Sequence, residues 1–334
     1  MKMASDQLRS LATALLESRG AEPQAAALQA DLLVEAELRG LPSHGLQRLP
    51  FLLSRLEKGL ADGCARGVWT WSRRAFLDVD GERGLGPVVL MNAMRCLKQN
   101  LPGMGIGVAA IRNANHIGML AYYAEAAARD GLIGIVASTS EALVHPFGGT
   151  KAMLGTNPLA IGIPTGDRPF VLDLATSVVS MGKIRNHALR GAPIPPGWAV
   201  DADGHSTQDP VAAQSGAIAP FGGAKGYGLG LAIELLVAAL AGSALSPDVR
   251  GTLDDDHPAN KGDLLILIDP SAGAGTIPAL TSYLDSLRLS RPLDATRPVA
   301  IPGDGARSRR AAAIDDGIAL PQPLFEQLMA LEAA

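Results

Sequence analysis

The chain has 334 residues, 47% of them hydrophobic, with 29 Lys and Arg against 33 Asp and Glu and a formal charge of −4. That length can bury a large core and build two domains or one elaborate one. A slightly acidic balance, with Arg307, Arg309 and Arg310 as the only dense basic group, argues against nucleic acid as the main partner. No run reaches the roughly 20 uninterrupted apolar residues of a membrane helix, and no secretory core follows Met1. Two cysteines, Cys64 and Cys96, exclude a disulfide scaffold and lead us to expect the reducing cytoplasm.

In chain order, residues 5–18 read as an amphipathic helix ended by Gly20, and residues 23–40 as a second with Pro23 in its first turn. A third is expected from Ser43, as N-cap, through Leu49, Leu52, Leu53 and Leu56 to Gly59. From about Trp69 the pattern turns to short strands: 75–80, 105–111, 132–138, 159–163, 170–174 and 264–268. Helices are expected at 88–98, 119–129, 178–189, 225–240 and 277–287, the fourth apolar enough to be buried although Glu234 interrupts it. The polar, turn-rich segments 201–216 and 248–260 read as long loops. The fold class is therefore α/β (α+β), with helical N-terminal additions and no internal repeat.

Four regions hold residues suited to chemistry. In Ser43-His44-Gly45-Leu46-Gln47-Arg48, the expected helix would put His44 and Arg48 on one face. A group that titrates near neutrality beside a two-pronged cation suits protonating a carbonyl while gripping a carboxylate; an ordinary helix start with a surface His and Arg is the plain alternative. His116, in Asn113-Ala114-Asn115-His116-Ile117-Gly118, falls between a strand end and a helix start, where open α/β folds gather ligands. Gly155-Thr156-Asn157-Pro158, Asp173-Leu174-Ala175-Thr176-Ser177 and Gly182-Lys183 combine close-approach glycines with hydroxyls, and Lys183 adds a point charge. The cluster Gly222-Gly223-Ala224-Lys225-Gly226 opens the most apolar helix with a lysine at its start. No Gly-x-Gly-x-x-Gly dinucleotide fingerprint, Walker lysine or Gly-x-Ser-x-Gly elbow is present. His145, His187, His205 and His257 lack ligand spacing, the acidic run ending at His257 reads as a solvated turn, and no metal site is expected.

These blocks, in this order and over nearly the whole chain, resemble the malate/L-lactate/sulfolactate dehydrogenase family. Also carrying the resemblance are Pro146-x-Gly148-Gly149, Ile194-Pro195-x-x-Trp198-Ala199-x-Asp201, Asp209-Pro210, Lys225-Gly226-Tyr227-Gly228 and Pro302-Gly303. The family includes ureidoglycolate dehydrogenase, diketogulonate reductase and cyclic-imine carboxylate reductases. The resemblance implies a non-Rossmann mixed sheet binding NAD or NADP, and a homodimer. It implies two parts: 1–70 plus 290–334, helical and beside the substrate, and 71–289, the mixed-sheet NAD(P)-binding part. By the same resemblance the cofactor contacts would be Ser140, Thr156, Asp173, Leu174, Ala175, Thr176, Lys183, Lys225, Gly226, Pro302, Gly303 and Asp304. The substrate would lie near Ser43, His44, Arg48, Asn115 and His116.

The activity so implied is interconversion of a small 2-hydroxy acid and its 2-oxo acid by hydride transfer, without nucleic-acid or membrane partners. His116 is expected to be the acid/base, with His44 and Ser43 orienting the substrate oxygen and Arg48 binding the carboxylate; family members differ in which of the two histidines moves the proton. The alternatives are an NADPH-dependent reductase of cyclic imine 2-carboxylates (piperideine or pyrroline) and a non-catalytic nucleotide-binding protein. Ile117-Gly118 after His116 fits the hydroxy-acid pattern better than the imine one, and Phe51-Leu52 replaces a tyrosine common in the family.

Overall fold

A computed structural model describes residues 2–166, 168–273 and 275–332. Its centre is a seven-stranded mixed sheet built from β2 (Val68–Arg73), β3 (Phe76–Asp80), β4 (Ile106–Arg112), β5 (Ile133–Ser138), β6 (Leu159–Ile163), β7 (Phe170–Leu174) and β11 (Gly262–Ile268). Their order is β2-β3-β4-β11-β5-β6-β7. Only β3 and β4 run parallel; every other neighbouring pair is antiparallel. The late strand β11 is thus inserted between β4 and β5, and its run Leu264-Leu265-Ile266-Leu267 feeds both faces of the sheet, as a strand buried on both sides requires.

On one face, α4 (Gly86–Asn100) and α5 (Ala121–Arg129) pack Leu90, Met94 and Tyr123 on Leu77, Val79, Leu265 and Leu267. On the other, α8 (Ala224–Ala241) packs Ile233, Val237 and Ala241 on Ala110, Ala137 and Leu264. The burial expected of α8 from its apolar composition holds for that one stripe only. Leu235, Leu236 and Leu240 remain 54%, 47% and 38% exposed, because the sheet covers one side of the helix and no described residue covers the other.

A helical cluster draws on both ends of the chain: α1 (Ser5–Ser18), α2 (Pro23–Leu38), α3 (Leu49–Glu57) and α11 (Gln322–Glu332) share a core with Ile318 and Leu320. β1 (Lys2–Met3) pairs with β12 (Ile318–Ala319), and α10 (Asp304–Asp316) lies on α2 through Arg310 and Glu35. α9 (Ile277–Arg288) is joined to the start of α10 by Arg288 and Asp304. The segment 201–216, expected as a loop, instead contributes to a small second core. β8 (Ala199–Val200), β9 (Ser206–Thr207) and β10 (Ala217–Ile218) form a three-stranded sheet beside α6 (Met181–Leu189) and α7 (Pro210–Gln214). Asp209 caps α7 through the Val211 amide and Ala213 is buried, which converts a polar stretch into ordered structure.

Candidate active site

The loop from β4 to α5 carries His116 and is clamped before it reaches that residue. Asn115 is buried; its amide donates to the carbonyls of Arg83 (2.6 Å) and Gly84 (3.2 Å), and its oxygen accepts from Arg55 Nε (3.0 Å). Gly86, the first residue of α4, lets the loop seat: a Cβ there would lie 2.4 Å from the His116 carbonyl oxygen and 2.5 Å from that of Asn115. The Gly118 N–H donates to His116 Nδ1 (3.1 Å). That nitrogen therefore bears the lone pair, and the neutral ring carries its proton on Nε2.

The segment bearing His44 is not the start of one helix. It forms two 3-10 turns, Pro42–His44 and Leu46–Arg48, separated by Gly45 in extended backbone, and α3 begins only at Leu49. Ser43 caps nothing. Pro50 favours a fresh start to α3, and the half-buried Glu37 carboxylate, accepting from the Leu46 amide (2.8 Å), holds the second turn in place. His44 and Arg48 nonetheless face a common space.

Within it, the His44 and His116 rings stack with centroids 5.5 Å apart and planes 7° from parallel. His44 Nδ1 is buried with no hydrogen-bond partner. Burial, reinforced by the Arg48 charge, pulls His44 down to about 4 and His116 well below its ordinary range, so both rings are neutral at pH 7. Arg48 donates to the Thr252 carbonyl (2.6 Å) and lies over the Phe51 ring at 5.6 Å. Burial lowers Arg48 to about 10, so it remains a cation, and among the described residues no carboxylate pairs with it. Glu141, whose charge Arg48 feels, is engaged by the Thr252 and Leu253 amides and the Thr252 hydroxyl. Two neutral imidazoles beside an unpaired guanidinium make a receptor for an anion carrying a polar oxygen.

This space is one end of a cavity of about 1010 Å3 that continues past Ser140, Thr156, Asp173, Leu174 and Ala175 to the Pro302-Gly303 turn. Asp173 accepts from the Ala121 amide (2.8 Å) at the start of α5, and burial raises it to about 6. The volume sits at the upper end of ligand pockets, roughly 300–1,000 Å3, and is large enough for a dinucleotide with a small acid. The other expected contacts do not line it. Asn115 supports the loop and borders a second, water-sized cavity behind His116. The Thr176 hydroxyl donates to the Thr156 carbonyl, and Asp304 is held far below its usual range by Arg288 and Arg307. The Lys183 ammonium lies 5.1 Å from the centre of the Trp198 ring. Lys225 is exposed, and Gly226 packs on the Phe221 carbonyl.

Residues the sequence did not single out complete the walls: Arg39, Glu125 and Arg309 toward the Gly303 end, and Arg185, Asn186 and Leu189 of α6 at the other. The spacing of the α6 residues from Gly182 was the available signal. Elsewhere, Asp254 accepts from the amides of Gly251, Asp256 and His257, which accounts for that acidic run as a loop brace. Polar atoms of Asp201, Asp203 and His205 lie within 4.8 Å of one another on the surface, where Asp201 accepts from both neighbours' amides and closes a turn.

Comparison with known proteins gives the following. The family model for malate/L-lactate dehydrogenase matches residues 3–329. The L-sulfolactate dehydrogenase of Methanocaldococcus jannaschii is 37% identical, over 94% of this chain and 91% of that protein. A Delta(1)-pyrroline-2-carboxylate/Delta(1)-piperideine-2-carboxylate reductase of Pseudomonas syringae pv. tomato is 35% identical, over 97% and 94%. A crystal structure of a dehydrogenase from Sinorhizobium meliloti superposes with a TM-score of 0.97 at 75% identity, covering 99% of this chain and 98% of that one.

Proposed function

The chain belongs to the malate/L-lactate dehydrogenase family and is an oxidoreductase of it, and we propose that this cavity interconverts a 2-hydroxy acid and its 2-oxo acid with a nicotinamide dinucleotide. The observation that carries the proposal is the stacked, neutral His44–His116 pair beside the unpaired Arg48. Ser140, Thr156, Asp173, Leu174, Ala175 and the Pro302-Gly303 turn would hold the dinucleotide. When bound, its nicotinamide supplies hydride to C2 of the oxo acid in one direction and removes it from the hydroxy acid in the other.

Arg48 takes the substrate carboxylate in a two-pronged grip. The division of labour we propose between the histidines is the reverse of that expected from the resemblance. With Nδ1 tied to the Gly118 amide, His116 is a fixed Nε2–H donor, which suits it to hold the substrate oxygen; protonating Nδ1 would break a backbone hydrogen bond. His44 has no such bond to lose, so it is the group that gives the oxygen its proton and takes it back. Burial is the larger cause of the depressed His44 and Arg48 the lesser; neutralising Arg48 with the carboxylate removes the lesser one, so substrate binding itself raises the proton affinity of the acid in part.

We also propose a homodimer joined through the exposed stripe of α8, and the free thiols of Cys64 and Cys96 support work in a reducing compartment. The test of function is absorbance change with NADH or NADPH against a panel of 2-oxo acids and cyclic imines, for wild type, His44→Ala and His116→Ala. Turnover of oxo acids, lost by on the order of a hundredfold or more in kcat with His44→Ala and less with His116→Ala, is expected. Turnover of cyclic imines alone would replace the hydroxy-acid proposal, and a larger kcat loss at His116 would return the proton to that residue.

A further inference from the structure

Midway along the apolar helix α8 stands a carboxylate, Glu234, that is 3% exposed and plays no part in the chemistry above. Among the described residues no lysine or arginine pairs with it. Three donors satisfy it instead: the Asn157 side-chain amide (2.6 Å), the Ser246 backbone N–H (2.5 Å) and the Ser246 hydroxyl (2.5 Å). A carboxylate is too costly to bury without such partners, so helix and partners hold one another in place.

Asn157 and Ser246 lead from this carboxylate to the wall of the cavity. Asn157 is fully buried and has a φ of +33°. That backbone is uncommon for any residue but glycine and persists where the surroundings enforce it. Here α8 does so, because the same Asn157 amide also donates to the Gly230 carbonyl (3.0 Å), one turn before Glu234. Ser246, 1% exposed, passes the restraint on: its hydroxyl, which donates to Glu234, accepts from the Gly155 N–H (2.7 Å). Gly155 in turn seats against Ser140, since a Cβ on it would lie 2.7 Å from both the carbonyl oxygen and Oγ of that residue. Ser140 Oγ accepts from the Thr156 N–H (3.2 Å). Ser140, Thr156 and Pro158 line the cavity, with Asn157, Ser246 and Glu234 behind them.

We propose that Glu234 is a positioning residue for the dinucleotide: from behind the wall, through Asn157 and Ser246, it fixes residues 155–158 in the shape that receives the cofactor. The assignment rests on the dinucleotide-binding function proposed above. The substrate end is built on other elements, and none of His44, Arg48 and His116 bonds to this network. Loss of the carboxylate should therefore loosen the hold on the cofactor and leave the acid/base chemistry as it is.

The test measures Kd for NADH and, separately, NADPH by dinucleotide fluorescence without substrate, for wild type, Glu234→Gln, Ser246→Ala and Val237→Ala. Glu234→Gln keeps the shape but turns an N–H toward groups that themselves donate, so its Kd should rise about tenfold, the scale of one buried donor left unmatched. Ser246→Ala removes only the branch to Gly155 and should give a smaller rise. At saturating dinucleotide, kcat and the KM of the oxo acid should stay near wild type in both. The amides of residues 155–157 should exchange faster with deuterium in Glu234→Gln. Val237→Ala, on the same helix but packed on the sheet, should lower the melting temperature and leave Kd unmoved. An unchanged Kd in Glu234→Gln, a kcat loss without a change in Kd, or an equal rise in Val237→Ala overturns the Glu234 assignment while the dehydrogenase function stands. If Glu234→Gln does not fold, Kd of Ser246→Ala decides in the same way. If wild type binds neither dinucleotide, both fall.

Discussion

His44 shows what burial costs a titratable group and what it makes available. In the unfolded chain its pKa is the ordinary 6.5; in the folded chain burial and Arg48 bring it to about 4. Between those values the unfolded state binds more protons at this position than the native state does. Stability therefore rises with pH across that window, is full above about 6.5 and is lost as pH falls toward about 4. The difference corresponds to roughly 3 kcal/mol, on the scale of 1.36 kcal/mol per pKa unit. His116, also held neutral, adds to the loss in the same direction. Urea denaturation of the ligand-free protein between pH 7 and 4.5 is expected to show a steeper decline for wild type than for His44→Gln. Equal slopes would mean that His44 is not neutral and buried in the folded state.

At the scale of elements, strands 159–163 and 170–174 were legible to the residue, because short apolar runs bounded by turn residues have no other stable use. The 43–58 region was not. Its leucine spacing is helical from Leu49 onward, but whether a chain enters a helix at Ser43 or makes two 3-10 turns first depends on Glu37 and Gly45, and no periodicity records that. The gathering of Ser43, His44, Arg48 and His116 was readable from their chemistry. That α6 turns Arg185 rather than Lys183 toward the cavity was not, because it follows from Gly182 meeting Ser43 across the fold. A similar contact governs His116. Gly86 faces two carbonyl oxygens of the His116 loop, and main-chain atoms cannot swing aside as a side-chain tip can. Gly86→Ala should therefore destabilise by about 1–3 kcal/mol, the usual range for overpacking. It should also lower kcat more than it raises KM, because the displaced group holds the reacting oxygen while Arg48 is untouched. Thermal melts and steady-state kinetics on this variant check both, and a wild-type melting temperature with wild-type kcat would show that the loop is not seated on Gly86.

At the scale of the whole molecule, the layers are complete on one side of the sheet and incomplete on the other. α4 and α5 cover Leu77, Val79, Leu265 and Leu267, and the chain's two ends close over the helical cluster. Opposite them α8 stands alone, with Ala232, Leu235, Leu236, Ala239 and Leu240 turned outward along its length. Half-exposed leucines each forgo on the order of 1 kcal/mol of burial, and contiguous apolar surface of this kind marks an association site. The homodimer proposed above would cover it, because a two-fold axis lets one apolar stripe serve both partners and closes the assembly. Light scattering of the wild-type protein at micromolar concentration is expected to give twice the mass of the chain. Leu235→Glu with Leu236→Glu places four like charges in that interface and should yield a monomer whose circular dichroism matches wild type, since neither side chain supports the sheet-facing stripe of Ile233, Val237 and Ala241. A wild-type monomer, or a double variant that remains dimeric, would remove α8 as the interface.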